Sequence, residues 1–544
     1  MATTTLTAKE GQDAATVQPS PYTIVRKTTQ VDRMFYVYHR LGIQANVLVA
    51  ARYASAKPGQ NLDLSDETVF AALHAVVTKC PELGLVGVKE MNEDGKHFLS
   101  LASLSTINLD ICVEFIDHNV PPLGSDLFEK LHSEWLWADG EVRPGQPWWK
   151  VLILGRRDVV FLFHHLVCDG SFGMTFHREF LASLNAPAAS GMRQQAPREV
   201  HLNPERMRLN ERVKNTIRKK PSVLGVIYNF LSFAFLRYFY SKGLFFTDFA
   251  PPRKFLKDSL GNPLPQERTS TQVYNYRIPA QKMEAILAAC RSHGTTFTPL
   301  LMVMITGTLA ADHYRKAKVG FTRYAVDMRP VCDFEDLAAG QGKMLNLAAS
   351  VPEKERLGKY RKALPTMFSG DGTQQSRAYL DTKETWKLVR DYGKRMQKFR
   401  KGGTKSKLCK SWLSGNTMGP TLEEFVDKSL PSMNVVMQNS FSVSNLGALK
   451  ATTVSAGGEE PAVRIEDVQF STASPHGAVG YHGIVFNVAG MAGGDTVINA
   501  CTEAGMAPDG LVRSVLDGVM ARIDTLLLEQ NTSSEKERKA RSQV

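Results

Sequence analysis

An unbroken apolar run, Val159-Val160-Phe161-Leu162-Phe163, passes directly into His164-His165-Leu166-Val167-Cys168-Asp169-Gly170. A short run of β-branched and aromatic residues bounded by polar and glycine positions reads as a buried strand, and it delivers the polar groups after it to a loop. Strand side chains alternate faces, so Phe161, Phe163 and His165 share one side while Leu162 and His164 share the other. One histidine alone can then enter a given cavity. Gly170 lets the backbone turn into a helix expected from about Ser171 to Leu184. Taken by itself, His165 also reads as a satisfied core histidine and Asp169 as the N-cap of that helix. The bare His-x-x-x-Asp spacing leaves both readings open.

Around this strand, from about Tyr22 to Asn203, strand and helix patterns alternate. Thr68–Cys80 carries apolar residues at helical spacing, and Trp148–Leu154 reads as a strand. Trp135, Trp137, Trp148 and Trp149 gather just upstream and read as core or pocket wall. Residues 204–270 break the alternation with a basic run, an apolar block from Val223 to Phe249, then Pro251-Pro252 and a polar loop. From about Thr271 it resumes, with strands at Val273–Ile278, Val319–Val326 and Phe441–Asn445, the last ending in a glycine turn, and helices at Gln281–Ser292 and Leu511–Leu528. A chain of 544 residues exceeds one typical core. The residues alone therefore give a mixed α/β chain of two domains. We place a disordered tail at 1–21, a first half at 22–203, a connection at 204–270, a second half at 271–529 and a charged tail at 530–544.

The formal charge of +12 is concentrated. Residues 206–220 hold seven Lys/Arg against one Glu, and residues 394–410 hold eight with no acid. Such runs fit a solvated surface or contact with an anion, such as a phospholipid head group or the phosphates of CoA. Nucleic acid is not expected, because neither run sits in a recognisable binding motif. Seven scattered cysteines without a C-x-x-C pair read as reduced thiols, and the start of the chain lacks a secretory signal, so a cytoplasmic protein is expected. The chain has no G-x-S-x-G elbow, H-E-x-x-H, phosphate loop or dinucleotide loop. No metal site is expected.

The complete string His164-His165-x-x-x-Asp169-Gly170 behind an apolar strand resembles the chloramphenicol-acetyltransferase-like superfamily of CoA-dependent acyltransferases. Plant BAHD enzymes, peptide-synthetase condensation domains and fungal alcohol acetyltransferases belong to that superfamily. Arg33–Tyr53 resembles the opening segment of alcohol acetyltransferases, and residues 286–311 the helix that opens the second half. Val326-Asp327-Met328-Arg329-Pro330 and Ser444-Asn445-Leu446-Gly447 are similar to two later motifs. The Asp-Phe-Gly-Trp-Gly motif of BAHD enzymes is absent, which argues against that branch.

The resemblance implies a mixed α/β fold of two chloramphenicol-acetyltransferase-like domains, with a tunnel between them that donor and acceptor enter from opposite faces. It implies His165 as general base and Asp169 as a structural residue partnered by Arg329, with His164 and Gly170 in support. An imidazole of ordinary pKa near 6.5 suits that task. Ser444 and Asn445 are candidates for the donor to the oxyanion, with closure of a strand turn as their other reading. The implied reaction is O-acyl transfer, O-acetyl first, from acetyl-CoA or another acyl-CoA as co-substrate to a small or secondary-metabolite alcohol; no bound cofactor is implied. Two other functions stay open: an N-acyltransferase or condensation-type amide synthase, and an inactive lipid-surface or scaffold protein on the same fold. The intact His165, Asp169 and Gly170 argue against the last. The block within 204–249 is expected either as a core helix or as an interfacial helix on a membrane, lipid droplet or endoplasmic reticulum, too short and interrupted to span a bilayer.

Overall fold

The computed structural model describes residues 20–28, 30–93, 97–186, 197–204, 239–250, 264–327, 346–367, 380–400, 440–450, 461–475 and 483–542, with single positions between. Its first part holds β1 (Tyr22–Lys27), α1 (Gln30–Arg40), β2 (Val47–Ser55), α2 (Asp66–Lys79), β3 (Leu85–Met91), β4 (His97–Leu104), β5 (Thr106–Asn108), β6 (Val113–Ile116), α3 (Ser125–Ser133), β7 (Trp149–Leu154), β8 (Asp158–Phe163), α4 (Gly170–Leu184) and β9 (Glu199–His201). After the connection come β10 (Thr271–Ile278), α5 (Ala280–Ser292), α6 (Phe297–Thr308), β11 (Val319–Asp327), β12 (Ala348–Arg356), α7 (Gly358–Ala363) and α8 (Thr382–Arg400). β13 (Ser440–Leu449), β14 (Val463–Thr472), β15 (Ile484–Met491), β16 (Thr496–Glu503) and α9 (Leu511–Ser542) complete the chain.

Two sheets dominate. The first runs β14-β2-β8-β7-β6 and the second β10-β16-β15-β13-β11-β12. β8 is buried at all six positions because β2 and β7 flank it and helices cover it. The continuous apolar run required that, since either exposed face would leave large side chains in water. α2 starts where Ser65 accepts a hydrogen bond from the Thr68 N–H, with Asp66 and Glu67 in its first turn, and buries Val69, Phe70, Leu73, Val76 and Val77. α6 buries nearly every position, as its apolar sequence demands.

β14 comes from the second part of the chain yet pairs antiparallel with β2 along all of β2, from Val463 opposite Ser55 to Thr472 opposite Val47. The sheet carrying β8 is therefore finished by a strand more than 290 residues downstream of it in sequence.

Several expectations are corrected. β8 ends at Phe163, so His164 and His165 stand in the turn beyond it and strand alternation is not what separates them. Residues 286–311 are not one helix: α5 and the stretch from Phe297 to His313 meet at 99°, with Gly294 at φ +63° in the break. β13 does not end at Asn445 but continues to Leu449 through a bulge in which Gly447 has φ +78°. α9 runs on to Ser542 through the supposed charged tail. The apolar block is divided: Leu244, Phe245, Phe246 and Phe249 are buried, whereas Leu224, Ile227, Tyr228, Leu231, Phe235 and Phe239 are exposed. Among the described residues no single helix is long and apolar enough to cross a membrane. Arg329, the first 19 residues, nearly all of the basic run 206–220 and the stretch 401–410 of the second run lie outside the described residues.

Candidate active site

The turn after β8 sorts the two histidines by what surrounds them. His164 is buried, its backbone N–H donating to the Trp148 carbonyl and its Nδ1 accepting from the Leu166 N–H at 2.9 Å. Its ring packs 4.4 Å from that of His39, 4.9 Å from Trp148 and 6.2 Å from Trp137. Burial in this aromatic cage, with His39 and His165 beside it, pushes its pKa well below the ordinary value and keeps it neutral. His164 holds the turn.

His165 faces a cavity of about 340 Å³. Its Nδ1 lies 3.0 Å from the Cys168 carbonyl oxygen, which can only accept, so Nδ1 carries the proton and Nε2 is left as the basic nitrogen. One face of the ring is covered by Phe35, stacked with centroids 3.6 Å apart and planes 11° from parallel. Desolvation lowers the His165 pKa, against the backbone bonds and the Asp169 charge, which raise it. The imidazole is neutral near pH 7.

Asp169 is the N-cap of α4, its Oδ1 accepting from the Phe172 N–H at 2.9 Å. Its Oδ2 accepts from the Leu347 N–H at 2.8 Å, and the neighbouring Asn346 amide donates to the His165 carbonyl. The turn carrying His165 is thus fastened to the start of β12. A Cβ on Gly170 would stand 2.7 Å from Leu446 and 3.0 Å from Phe470, so glycine is what lets α4 begin against β13 and β14.

Ser444 and Asn445 both reach the cavity from β13. The Asn445 Oδ1 accepts from the Gly447 N–H at 2.8 Å and its Nδ2 donates to Thr298 Oγ1 at 3.0 Å, so this side chain closes the bulge and ties it to α6. Of the expected pair, the structure gives Asn445 the turn role and leaves the Ser444 hydroxyl at the wall. The remaining lining is largely apolar, with Met34, Tyr38, Val326 and Phe470 among it, while Arg323 and Asp327 mark a charged stretch on β11.

Sequence reasoning did not find Asn346, Leu347, Phe35 or the Cys168 carbonyl. Phe35 lay inside a segment already singled out, whereas nothing in the sequence joins Asn346 to a histidine 181 positions away. Among the described residues no group of three or more His, Cys, Asp or Glu could hold a metal ion.

Residues 127–331 match the family model described as alcohol acetyltransferase. A probable alcohol acetyltransferase, crmB of Aspergillus fumigatus, is 28% identical over 169 residues; the alignment covers 28% of this chain and 35% of that relative's length. The solved trichothecene 15-O-acetyltransferase from Fusarium sporotrichioides superposes with a TM-score of 0.60 at 12% identity, over 93% of this chain and 95% of the other. Polyketide synthase associated protein 5 from Mycobacterium tuberculosis gives 0.53 at 12%, over 94% and 100%. The epimerization domain from tyrocidine synthetase B gives 0.54 at 11%, over 93% and 97%. At these identities the structural matches establish the fold.

Proposed function

We propose that this chain, a member of the alcohol acetyltransferase family by its residues 127–331, transfers an acyl group, acetyl first, from acyl-CoA to the hydroxyl of a small or secondary-metabolite alcohol. The observation that carries this reading is His165 at the cavity wall, neutral and held by the Cys168 carbonyl with Nε2 as its basic nitrogen. Nε2 takes the hydroxyl proton as the alcohol oxygen attacks the thioester carbonyl. The C–O bond forms, the C–S bond then breaks, and the imidazolium returns the proton to the departing thiolate. Both substrates are present together, and no covalent enzyme intermediate is needed.

Asp169 and Gly170 serve by holding the turn, and His164 by packing behind it. The developing oxyanion needs a donor, for which the Ser444 hydroxyl is our candidate because the Asn445 side chain is already bonded at both ends. Arg329 stays a proposed partner of Asp169. The apolar lining favours an acceptor with a hydrocarbon body over a sugar or a charged amine.

The test incubates the purified full chain with acetyl-CoA and a panel of alcohols and amines, following free-thiol release and product mass. An ester product supports the reading. Release of thiol with an amide product would replace it by N-acylation, and no transfer to any acceptor with acetyl- or longer acyl-CoA would overturn it.

A further inference from the structure

The side chains at the C-terminal end of β14 divide between the two sides of the strand. Alternation sends Phe470 and Thr472 to the cavity wall, whereas Ser471 turns the other way and its hydroxyl lies 2.8 Å from His132 Nε2. Thr472 is 8% exposed and shares the cavity wall with Gln44.

What Thr472 can offer there is fixed from behind. Its hydroxyl donates to Asn487 Oδ1 at 3.0 Å, and Asn487, wholly buried, directs its Nδ2 to Cys501 Sγ at 3.3 Å. Oδ1 can only accept, so the single proton of Thr472 Oγ1 is committed to it and the lone pairs of that oxygen are left for a donor. Asn487 is held in turn by its sheet, paired with Ser444 on β13 and with Asn499 on β16. Gln44 is oriented in the same way. Its Nε2 donates to the Ala473 carbonyl at 3.0 Å, and because that oxygen cannot donate, Oε1 is the acceptor end of the amide. Ala473 follows Thr472 in the chain, and its N–H donates to the Asn46 carbonyl at 3.1 Å, so Gln44 and Thr472 are neighbours at the seam of β2 and β14. Among the described residues nothing donates to Thr472 Oγ1 or to Gln44 Oε1.

Position separates this pair from the reacting centre. Val47 on β2 pairs with Thr472 on one side and with Phe163, the last residue of β8, on the other. Two strand spacings, about 10 Å, therefore lie between Thr472 and the strand end that leads to His165. A molecule in the cavity meets His165 Nε2 with one part and the two acceptors with another. Phe470, Pro475 and Val485 add apolar wall. A purely hydrocarbon body lying against Thr472 and Gln44 would leave both oxygens desolvated and unpaired, so a donor on the bound molecule is selected there.

We propose that Thr472 and Gln44 form a specificity site that accepts hydrogen bonds from a second hydroxyl of the acceptor, which makes the acceptor class an apolar diol or polyol rather than a simple alcohol. The first hydroxyl is the one that His165 deprotonates, which rests on the acyl-transfer reading; the second is bound and left unchanged.

The test measures binding and turnover separately on matched pairs, 1,8-octanediol with 1-octanol and 1,4-cyclohexanedimethanol with cyclohexanemethanol, using the full chain. Dissociation constants come from calorimetric titration, and rates from ester formed with acetyl-CoA. Each diol is expected to bind the wild type about tenfold more tightly than its mono-alcohol, beyond the roughly twofold that two equivalent hydroxyls give by statistics. Thr472→Val, which keeps the shape and loses the oxygen, should bring that ratio down to about two; Gln44→Leu should lower it, and Thr472→Ser should retain it. General damage to the fold would weaken both members of a pair alike, so the ratio reports the site. A wild-type ratio of about two, no measurable binding of either diol, or a ratio that survives both Thr472→Val and Gln44→Leu overturns the proposal. Diol binding that depends on Thr472 but yields no ester with acetyl-CoA would leave this site standing and remove the acyl-transfer reading instead.

Discussion

Phe35, Asn346 and the Cys168 carbonyl act on one imidazole, and each constrains a different freedom of His165. The stacked ring fixes its plane, the carbonyl fixes its tautomer, and the Asn346 amide fixes the backbone that carries it. Replacing His165 by Ala should cost roughly 10²–10⁴ in rate with the fold intact, whereas His164→Ala should act mainly by lowering the melting temperature, since it empties a buried cage. Equal rate losses at unchanged stability would contradict that division. Asn346→Ala should lower kcat about tenfold and leave KM for acetyl-CoA nearly unchanged, because the amide touches the histidine turn and not the cavity contents. A change confined to KM would remove it from this role.

The pH behaviour follows from the same residues. The His165 pKa lies below 6.5, so activity should persist at pH 6.5 and fall only as pH drops through that lowered value; an acid limb centred at or above 7 would disagree. Stability carries a second signal. Burial lowers His39 and His177 to about 4 and His132 to about 3, so between roughly pH 6.5 and 4 the unfolded chain binds protons that the folded chain does not. Folding stability should fall as pH falls through that window, read as a decreasing melting temperature.

Among the elements, β8 and α4 were the most legible, because a continuous apolar run, a capping Asp and a glycine are local signals that the packing then obeys. At the break between α5 and α6 the apolar pattern ended a helix at Ser292, where α5 ends, whereas the resemblance carried one helix over 286–311, and packing shows the 99° bend with Gly294 in it. The bulge in β13 was misread as a strand end, since a glycine at φ +78° suits either, and the pairing of Leu449 with Met491 decides it. Asn445 was legible as a residue of interest and illegible in its bonding, which depends on Thr298, 147 positions away. Gly170→Ala tests how tightly these elements meet. The added methyl has no room beside Leu446 and Phe470, so the variant should lose about 1–3 kcal/mol of stability in denaturant melts together with activity. A variant of unchanged stability would mean that α4 can retreat from the second sheet.

At the scale of the molecule, the division into two halves is a division of sequence more than of structure. β14 supplies an edge of the first sheet, and further contacts stitch the same seam, among them Gln44 to the Ala473 carbonyl and His132 to Ser471. Residues 1–270 expressed alone should therefore expose the edge of β2 and aggregate, and co-expression with 271–544 should restore soluble protein. A monomeric, cooperatively folding fragment would refute this. The cross-linking strand also governs how molecules can be exchanged. A cleft between independent lobes opens by swinging them apart, but here that swing would have to unzip every rung between Val47 and Ser55. The protein is consequently a riveted box rather than a jaw: cargo passes through whatever apertures its loops and side chains leave, and the rate of that passage is set at the rim, not by a hinge.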